Sequence, residues 1–342
     1  MIGMTEASFY RKAEENRVEC LLCPQHCKLA DGRTGLCMGR KNEGGTLFAI
    51  NYGEVASIAM DPMEKKPLYH FLPGAQILST GPNGCNLACE FCQNWEISQV
   101  KIPTRHVSPE SLVRRAQDMD SAGIAYTYTE PLIWYEYVLD CAELCREKGM
   151  VNVLVTNGFI NPEPLDELLP FVDAMNIDVK SMDEEFYRKV CRGKLADVLR
   201  TAERAKQSCH IEITNLVIPT LNDSDDHFSR LTDWVADTLG VDTPLHFSRY
   251  GPRHKMRIPP TPRESLERAY RIATQKLYYV FVGNIAIEGT SNTTCPQCRS
   301  TLVTREWYAA NLAGIHDGRC ASCGRPVDIV LEGSRGGQGE SR

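Results

Sequence analysis

The stretch "GCNLACEFCQN", residues 84–94, crowds Cys85, Cys89 and Cys92 into a C-x3-C-x2-C pattern. Thiolates hold iron–sulfur clusters. A four-iron cluster takes one ligand per iron, so three cysteines on one short loop leave one iron without a protein ligand, free to bind another molecule. A tetrahedral zinc ion closed by the same loop needs a fourth ligand at close spacing. The next candidate, His106, lies fourteen residues beyond Cys92.

Two further cysteine groups flank this loop. Cys295-x2-Cys298 and Cys320-x2-Cys323 form two C-x2-C pairs with 21 residues between them. Each pair supplies two thiolates, and together they close one tetrahedron, the pattern of a structural Zn2+ site. Iron is the alternative there. At the other end, Cys20, Cys23, Cys27 and Cys37 suit one four-ligand site. A closed structural metal site and an auxiliary cluster both fit that spacing, and His26 is a spare ligand. Cys141, Cys145, Cys191 and Cys209 lie outside the groups and read as small core hydrophobes. Cys141 and Cys145 stand i,i+4 on one helix face.

Something must position these groups. The 342 residues, 42% hydrophobic and 24% charged, are those of an ordinary globular protein. A net charge of −6 argues against a general nucleic-acid or membrane-surface binder. No apolar run is long enough to span a bilayer. The first twenty residues lack a secretory-type hydrophobic core. A cytoplasmic protein is expected, where clustered cysteines mean metal more often than disulfide.

Strand patterns at 76–80, 124–129, 151–156, 173–179, 211–218 and 245–250 alternate with helical patterns. The helices are expected over 108–122, 131–149, 162–169, 183–208 with a break near Gly193, 224–239 and 261–276. Ser108 followed by Pro109 is a helix start. "YYVFV" (278–282) offers one more strand. Six β/α repeats imply a parallel sheet covered by helices, and six fall short of a closed eight-fold barrel. The expected fold is α/β, a partial (β/α)6 barrel. An N-terminal Cys-rich segment with short strands (1–74) precedes the barrel (75–290). A zinc-ribbon-like knuckle (291–331) and a disordered Gly/Ser-rich tail (332–342) follow it. The three cysteines come directly after the first barrel strand, at the end where such folds do chemistry.

Cys85, Cys89, Phe91 and Cys92 match the C-x3-C-x-Φ-C motif, Φ aromatic, and the chain resembles the radical SAM superfamily. Within it, "GCNLACEFCQN" is similar to the activating enzymes of glycyl radical proteins such as pyruvate formate-lyase. "CLLCPQHCKLADGRTGLCMGR", "DPMEKKPLYHFLPG", "YTYTEP", "HFSRYGP" and "YVFVGNI" followed by "CPQC" together resemble the radical SAM member of the AmmeMemoRadiSam system.

The resemblance implies a [4Fe-4S] cluster on Cys85, Cys89 and Cys92 and S-adenosylmethionine as cofactor. It places the cofactor's amino group near Glu130, at "YTEP", where Tyr128 and Thr129 stand in place of two glycines. It also implies cofactor contacts from Asn157 in "VTNGF" and from the D-x-K pair Asp178 and Lys180. The same residues have plainer readings: Glu130 as a helix-start carboxylate, and Asp178 with Lys180 as a structural ion pair. "DPMEKKPLYHF", with Lys65, Lys66 and His70, reads equally as a solvated linker or an active-site rim. His246 and Arg249 are candidate pocket groups; three apart on a strand, they do not share a face, so only one need point inward.

The implied chemistry is reductive cleavage of S-adenosylmethionine to methionine and a 5′-deoxyadenosyl radical, which takes a hydrogen atom from a substrate. A low-potential donor, flavodoxin or ferredoxin, supplies the electron. The substrate, small molecule or protein, is not readable, and neither is any catalytic side chain. The alternatives are a glycyl radical activating enzyme, and a non-catalytic iron–sulfur or zinc protein serving electron transfer or as a scaffold.

Overall fold

The structure, a computed structural model, describes residues 4–332. All but the first residue of the expected tail (332–342) lies outside them.

One eight-stranded sheet organises the chain. Its strands are β1 (Ser57–Pro62), β2 (Gln76–Gly81), β3 (Gly123–Tyr126), β4 (Val151–Thr156), β5 (Ala174–Asp178), β6 (His210–Val217), β7 (Leu245–Arg249) and β8 (Val280–Gly283). They lie side by side in sequence order. β1 pairs antiparallel with β2, and every pair from β2 to β8 is parallel. A parallel step needs a crossover, and crossovers are right-handed. When every step moves the same way, all the helices fall on one face and the other face turns inward. β1 and β8 remain as the two edges, so the barrel is open.

The crossover helices are α1 (Pro109–Asp118), α2 (Tyr135–Glu147), α3 (Pro162–Leu168), α4 (Leu195–Lys206), α5 (Asp225–Trp234) and α6 (Arg263–Ala273). Local chemistry sets their starts. Ser108 Oγ accepts from Ser111 N ahead of α1, and Ser224 Oγ accepts from His227 N ahead of α5. The expected break near Gly193 falls at Arg192, whose φ is 61°. Cys141, Cys145 and Cys191 are fully buried in the core. None of the helices among the described residues is long and apolar enough to cross a membrane.

Two features depart from the expected segment boundaries. β1 belongs to the barrel sheet although it precedes residue 75, because its backbone covers the edge of β2 along six residues. The C-terminal module, with its own small core around Leu302 and Val303, is bound to the segment after β1. Leu72 N donates to Val330 O (2.8 Å), and the buried Arg305 donates to Tyr69 O (2.5 Å). Residues 63–72 are thus clamped between the sheet and the C-terminal module. The solvated-linker reading of that segment is corrected here: Lys66 and His70 are 2% and 0% exposed.

Candidate active site

The carboxyl ends of the parallel strands open into one cavity of about 630 Å³, a size usual for small-molecule sites. Cys85, Cys89 and Cys92, on the loop after β2, line it. Hydrogen bonds converge on their sulfurs. Leu87 N and Asn157 Nδ2 lie 3.4 and 3.5 Å from Cys85 Sγ, and Ser98 Oγ lies 3.1 Å from Cys92 Sγ. Donors of this kind favour thiolate over thiol and tune a bound cluster. Burial raises the pKa of Cys85 and Cys92, and for Cys89 the neighbouring Cys191 thiol adds to burial as the leading cause. Metal must therefore displace protons here. Cys191, expected only as core, backs Cys89 from the 187–191 turn, where Cys191 O accepts from Ala88 N (2.9 Å). It is fully buried and not part of the cavity wall. Three thiols facing one open cavity fit a cluster with one free iron.

The four residues expected to contact the cofactor, Glu130, Asn157, Asp178 and Lys180, all line this cavity. Asn157, after β4, also holds the Asn86 side chain (2.9 Å) and so fixes the cysteine loop. Asp178 and Lys180, at the end of β5, form an ion pair of 2.9 Å. Burial works against the Lys180 charge, but Asp178 and nearby thiols outweigh it and raise its pKa well above the usual value. The Asp178 side chain is 38% exposed, so the pair sits on the cavity wall and not in the core.

Glu130 is 1% exposed. Its Oε1 accepts from Leu132 N (3.0 Å) and Thr156 Oγ1 (2.6 Å), and its Oε2 from Asn157 N (2.8 Å). The helix-start reading is realised, since Leu132 lies in the first turn of the short helix Pro131–Trp134. The carboxylate also ties the loop after β3 to the loop after β4. Burial pushes its pKa up to about 7 against those three donors.

Lys65, Lys66 and His246, offered in the sequence as rim or pocket groups, do line the cavity, whereas the roles of Tyr128 and Asp61 were not read from the sequence. Tyr128 has φ = 69°, a left-handed conformation that costs a non-glycine residue about 1–2 kcal/mol. Its hydroxyl donates to Asp61 Oδ2 (2.7 Å), its carbonyl accepts from Asn94 Nδ2 (2.6 Å), and Lys66 Nζ lies 4.9 Å from its ring. The signal was present: Tyr128 stands where the resembled turn has glycine. Asp61 also accepts from Lys65 and Lys66, each at 2.7 Å. Burial opposes its charge, yet these donors hold it well below the usual carboxylate range. His246 faces the cavity from β7 and contacts the buried Glu212 at 2.6 Å. Arg249 turns away and donates to Thr261 O (3.0 Å).

Away from the cavity, the sulfurs of Cys295, Cys298, Cys320 and Cys323 lie within 4.8 Å of one another. Cys295–Cys323 and Cys298–Cys320 are 3.7 and 3.6 Å apart. A tetrahedral ion with Zn–S bonds of about 2.3 Å separates its sulfurs by about 3.8 Å, so the four residues fit one ion. Cys20, Cys23, Cys27 and Cys37 line a separate pocket near Cys85. The spare ligand His26 points instead to Glu19 (3.6 Å).

A sequence profile described as the radical SAM superfamily matches residues 80–232. An uncharacterized protein of Methanocaldococcus jannaschii is 45% identical over 336 residues, covering 96% of this chain and 100% of that protein. The pyruvate formate-lyase 1-activating enzyme of Escherichia coli K12 is 27% identical over 222 residues, covering 59% of this chain and 90% of that enzyme. A solved radical SAM methyltransferase from Sphaerobacter thermophilus aligns at 16% identity with a TM-score of 0.49, over 62% of this chain and 67% of that one. The matched segment runs from β2 through the three-cysteine loop and on to α5, and the chain is an enzyme of the radical SAM superfamily.

Proposed function

We propose that this enzyme cleaves S-adenosylmethionine reductively and uses the resulting 5′-deoxyadenosyl radical to take hydrogen from a substrate of the AmmeMemoRadiSam system. The superfamily carries a [4Fe-4S] cluster and S-adenosylmethionine and needs a reductant. Here Cys85, Cys89 and Cys92 would hold the cluster, which supplies the electron for carbon–sulfur cleavage. Glu130, Asn157, Asp178 and Lys180 line the adjoining wall for the cofactor's polar groups. Lys180 offers a charge-assisted hydrogen bond to a carboxylate, and Asp178 accepts from hydroxyls. Cys295, Cys298, Cys320 and Cys323 would hold Zn2+, which would fix the module whose Arg305 donates to Tyr69 O. Flavodoxin or ferredoxin, in the cytoplasm, is the electron donor.

The observation that carries this reading is the meeting of the three-cysteine loop with the Asp178–Lys180 pair in one cavity. The cavity is also walled by Lys66, Tyr69 and His246, and by Tyr308 of the C-terminal module. Such walls suit a small or narrow substrate. The second reading, activation of a glycyl radical enzyme, is favoured by the likeness to the pyruvate formate-lyase 1-activating enzyme. Anaerobic incubation of the reconstituted enzyme, S-adenosylmethionine and dithionite with a glycyl radical protein separates the two. The first reading expects 5′-deoxyadenosine and no protein radical by electron paramagnetic resonance. A glycyl radical signal on the partner would establish the second.

A further inference from the structure

The N-terminal cysteines form a second site with a different geometry from the C-terminal knuckle. Cys20 closes the strand Val18–Cys20, Cys23 and Cys27 flank the turn after it, and Cys37 precedes the strand Arg40–Glu43. All four line one pocket together with Arg40, Asn86 and Ile133. Among the described residues, the C-terminal four are the only cysteines of which three or more gather their sulfurs within 4.8 Å. A single ion draws its four sulfurs to about 3.8 Å, whereas a cluster with one thiolate per iron holds them farther apart.

Arg40 supplies an independent observation. Its side chain is 2% exposed and its Nη1 donates to Glu136 Oε2 (2.6 Å), but Nε and Nη2 are buried with no partner. Buried guanidinium donors left unpaired are costly, and the pocket beside them is lined by four potential thiolates. An iron–sulfur cluster whose thiolates outweigh its core charge is an anion that accepts such hydrogen bonds.

The pocket abuts the loop that carries Cys85. Gln25 Nε2 donates to Asn86 O (2.9 Å), and a side chain at Gly84 would meet Cys37 O at 2.1 Å, so the two backbones touch. We propose that Cys20, Cys23, Cys27 and Cys37 hold a second [4Fe-4S] cluster, backed by Arg40 and set beside the three-cysteine loop. With every iron held by protein it binds no substrate. It can take up one electron from a low-potential donor and release it again.

The test uses the full chain with Cys85→Ala, Cys89→Ala and Cys92→Ala, reconstituted anaerobically with iron and sulfide, so that it does not depend on S-adenosylmethionine chemistry. About four irons and four sulfides per chain should remain, with a paramagnetic signal after dithionite reduction. Adding Cys20→Ala and Cys37→Ala should remove both. Arg40→Met in the triple variant should keep the iron and move the midpoint potential to more negative values, since loss of a nearby positive charge disfavours the reduced cluster. The Arg40 measurement stands even if the five-fold variant does not fold. Zinc without iron in the triple variant, iron indifferent to Cys20 and Cys37, or a potential unmoved by Arg40→Met would overturn the proposal.

Discussion

Glu130→Gln tests whether the loops after β3 and β4 are braced by a buried carboxyl group whose burial has moved its titration up to about pH 7. All three partners of Glu130 are donors, and the group is 1% exposed. Its pKa rises from the ordinary 4.5 to about 7 on folding. Between those values the unfolded chain has released the proton while the folded chain still binds it, so stability falls as pH rises. The contribution is fully present below pH 4.5 and lost by pH 7. At about 1.4 kcal/mol per unit, it amounts to about 3 kcal/mol.

Glutamine cannot ionise, so the variant lacks this loss. Its amide NH2 must instead face a donor, Asn157 N–H or one of the others, at a cost of about 1–3 kcal/mol. The variant should therefore be less stable than wild type at pH 4.5 and draw level with it, or pass it, by pH 7.5. Urea unfolding of both proteins at several pH values, compared as a difference, cancels the other titrating groups. A difference that stays flat across that range would refute the assigned environment of Glu130.

Lys180→Met should weaken S-adenosylmethionine binding ten- to a hundred-fold, the loss of one charge-assisted hydrogen bond of about 1.5–3 kcal/mol, with iron content unchanged; equilibrium titration reads this. Asp61→Asn removes the carboxylate that pairs with the buried Lys66 and braces Tyr128, and should cost about 3 kcal/mol in a denaturant melt. Cys295→Ser with Cys298→Ser should release one metal ion, measured by elemental analysis, and speed hydrogen exchange in residues 69–72, which Arg305 and Val330 hold.

The sequence carried most of the fold because its periodicities are long-range and redundant. Six crossovers, each with a cap or breaker such as Ser108 or Ser224, can be satisfied by few topologies. The cysteine groups were legible because thiol spacing encodes ligand geometry directly. Contacts between segments distant in sequence were not legible. Nothing local to Asp61 shows that it meets Tyr128, 67 residues away. Nor does Glu212 announce that it will sit beside both His210 and His246. Segment boundaries suffered for the same reason: β1 reads as a short N-terminal strand until its pairing with β2 is seen. The role of Glu130 was legible only as two alternatives, because a capping carboxylate and a ligand-facing one look alike in sequence.

The most direct test of the central claim is product analysis after anaerobic reconstitution with iron, sulfide, dithionite and S-adenosylmethionine. The wild-type chain should form 5′-deoxyadenosine and methionine in equal amounts. The Cys85→Ala, Cys89→Ala, Cys92→Ala variant should form neither while keeping the metal of its C-terminal knuckle. Product formation by the variant at the wild-type rate, or none from wild type with its three-cysteine loop loaded with iron, would contradict the assignment.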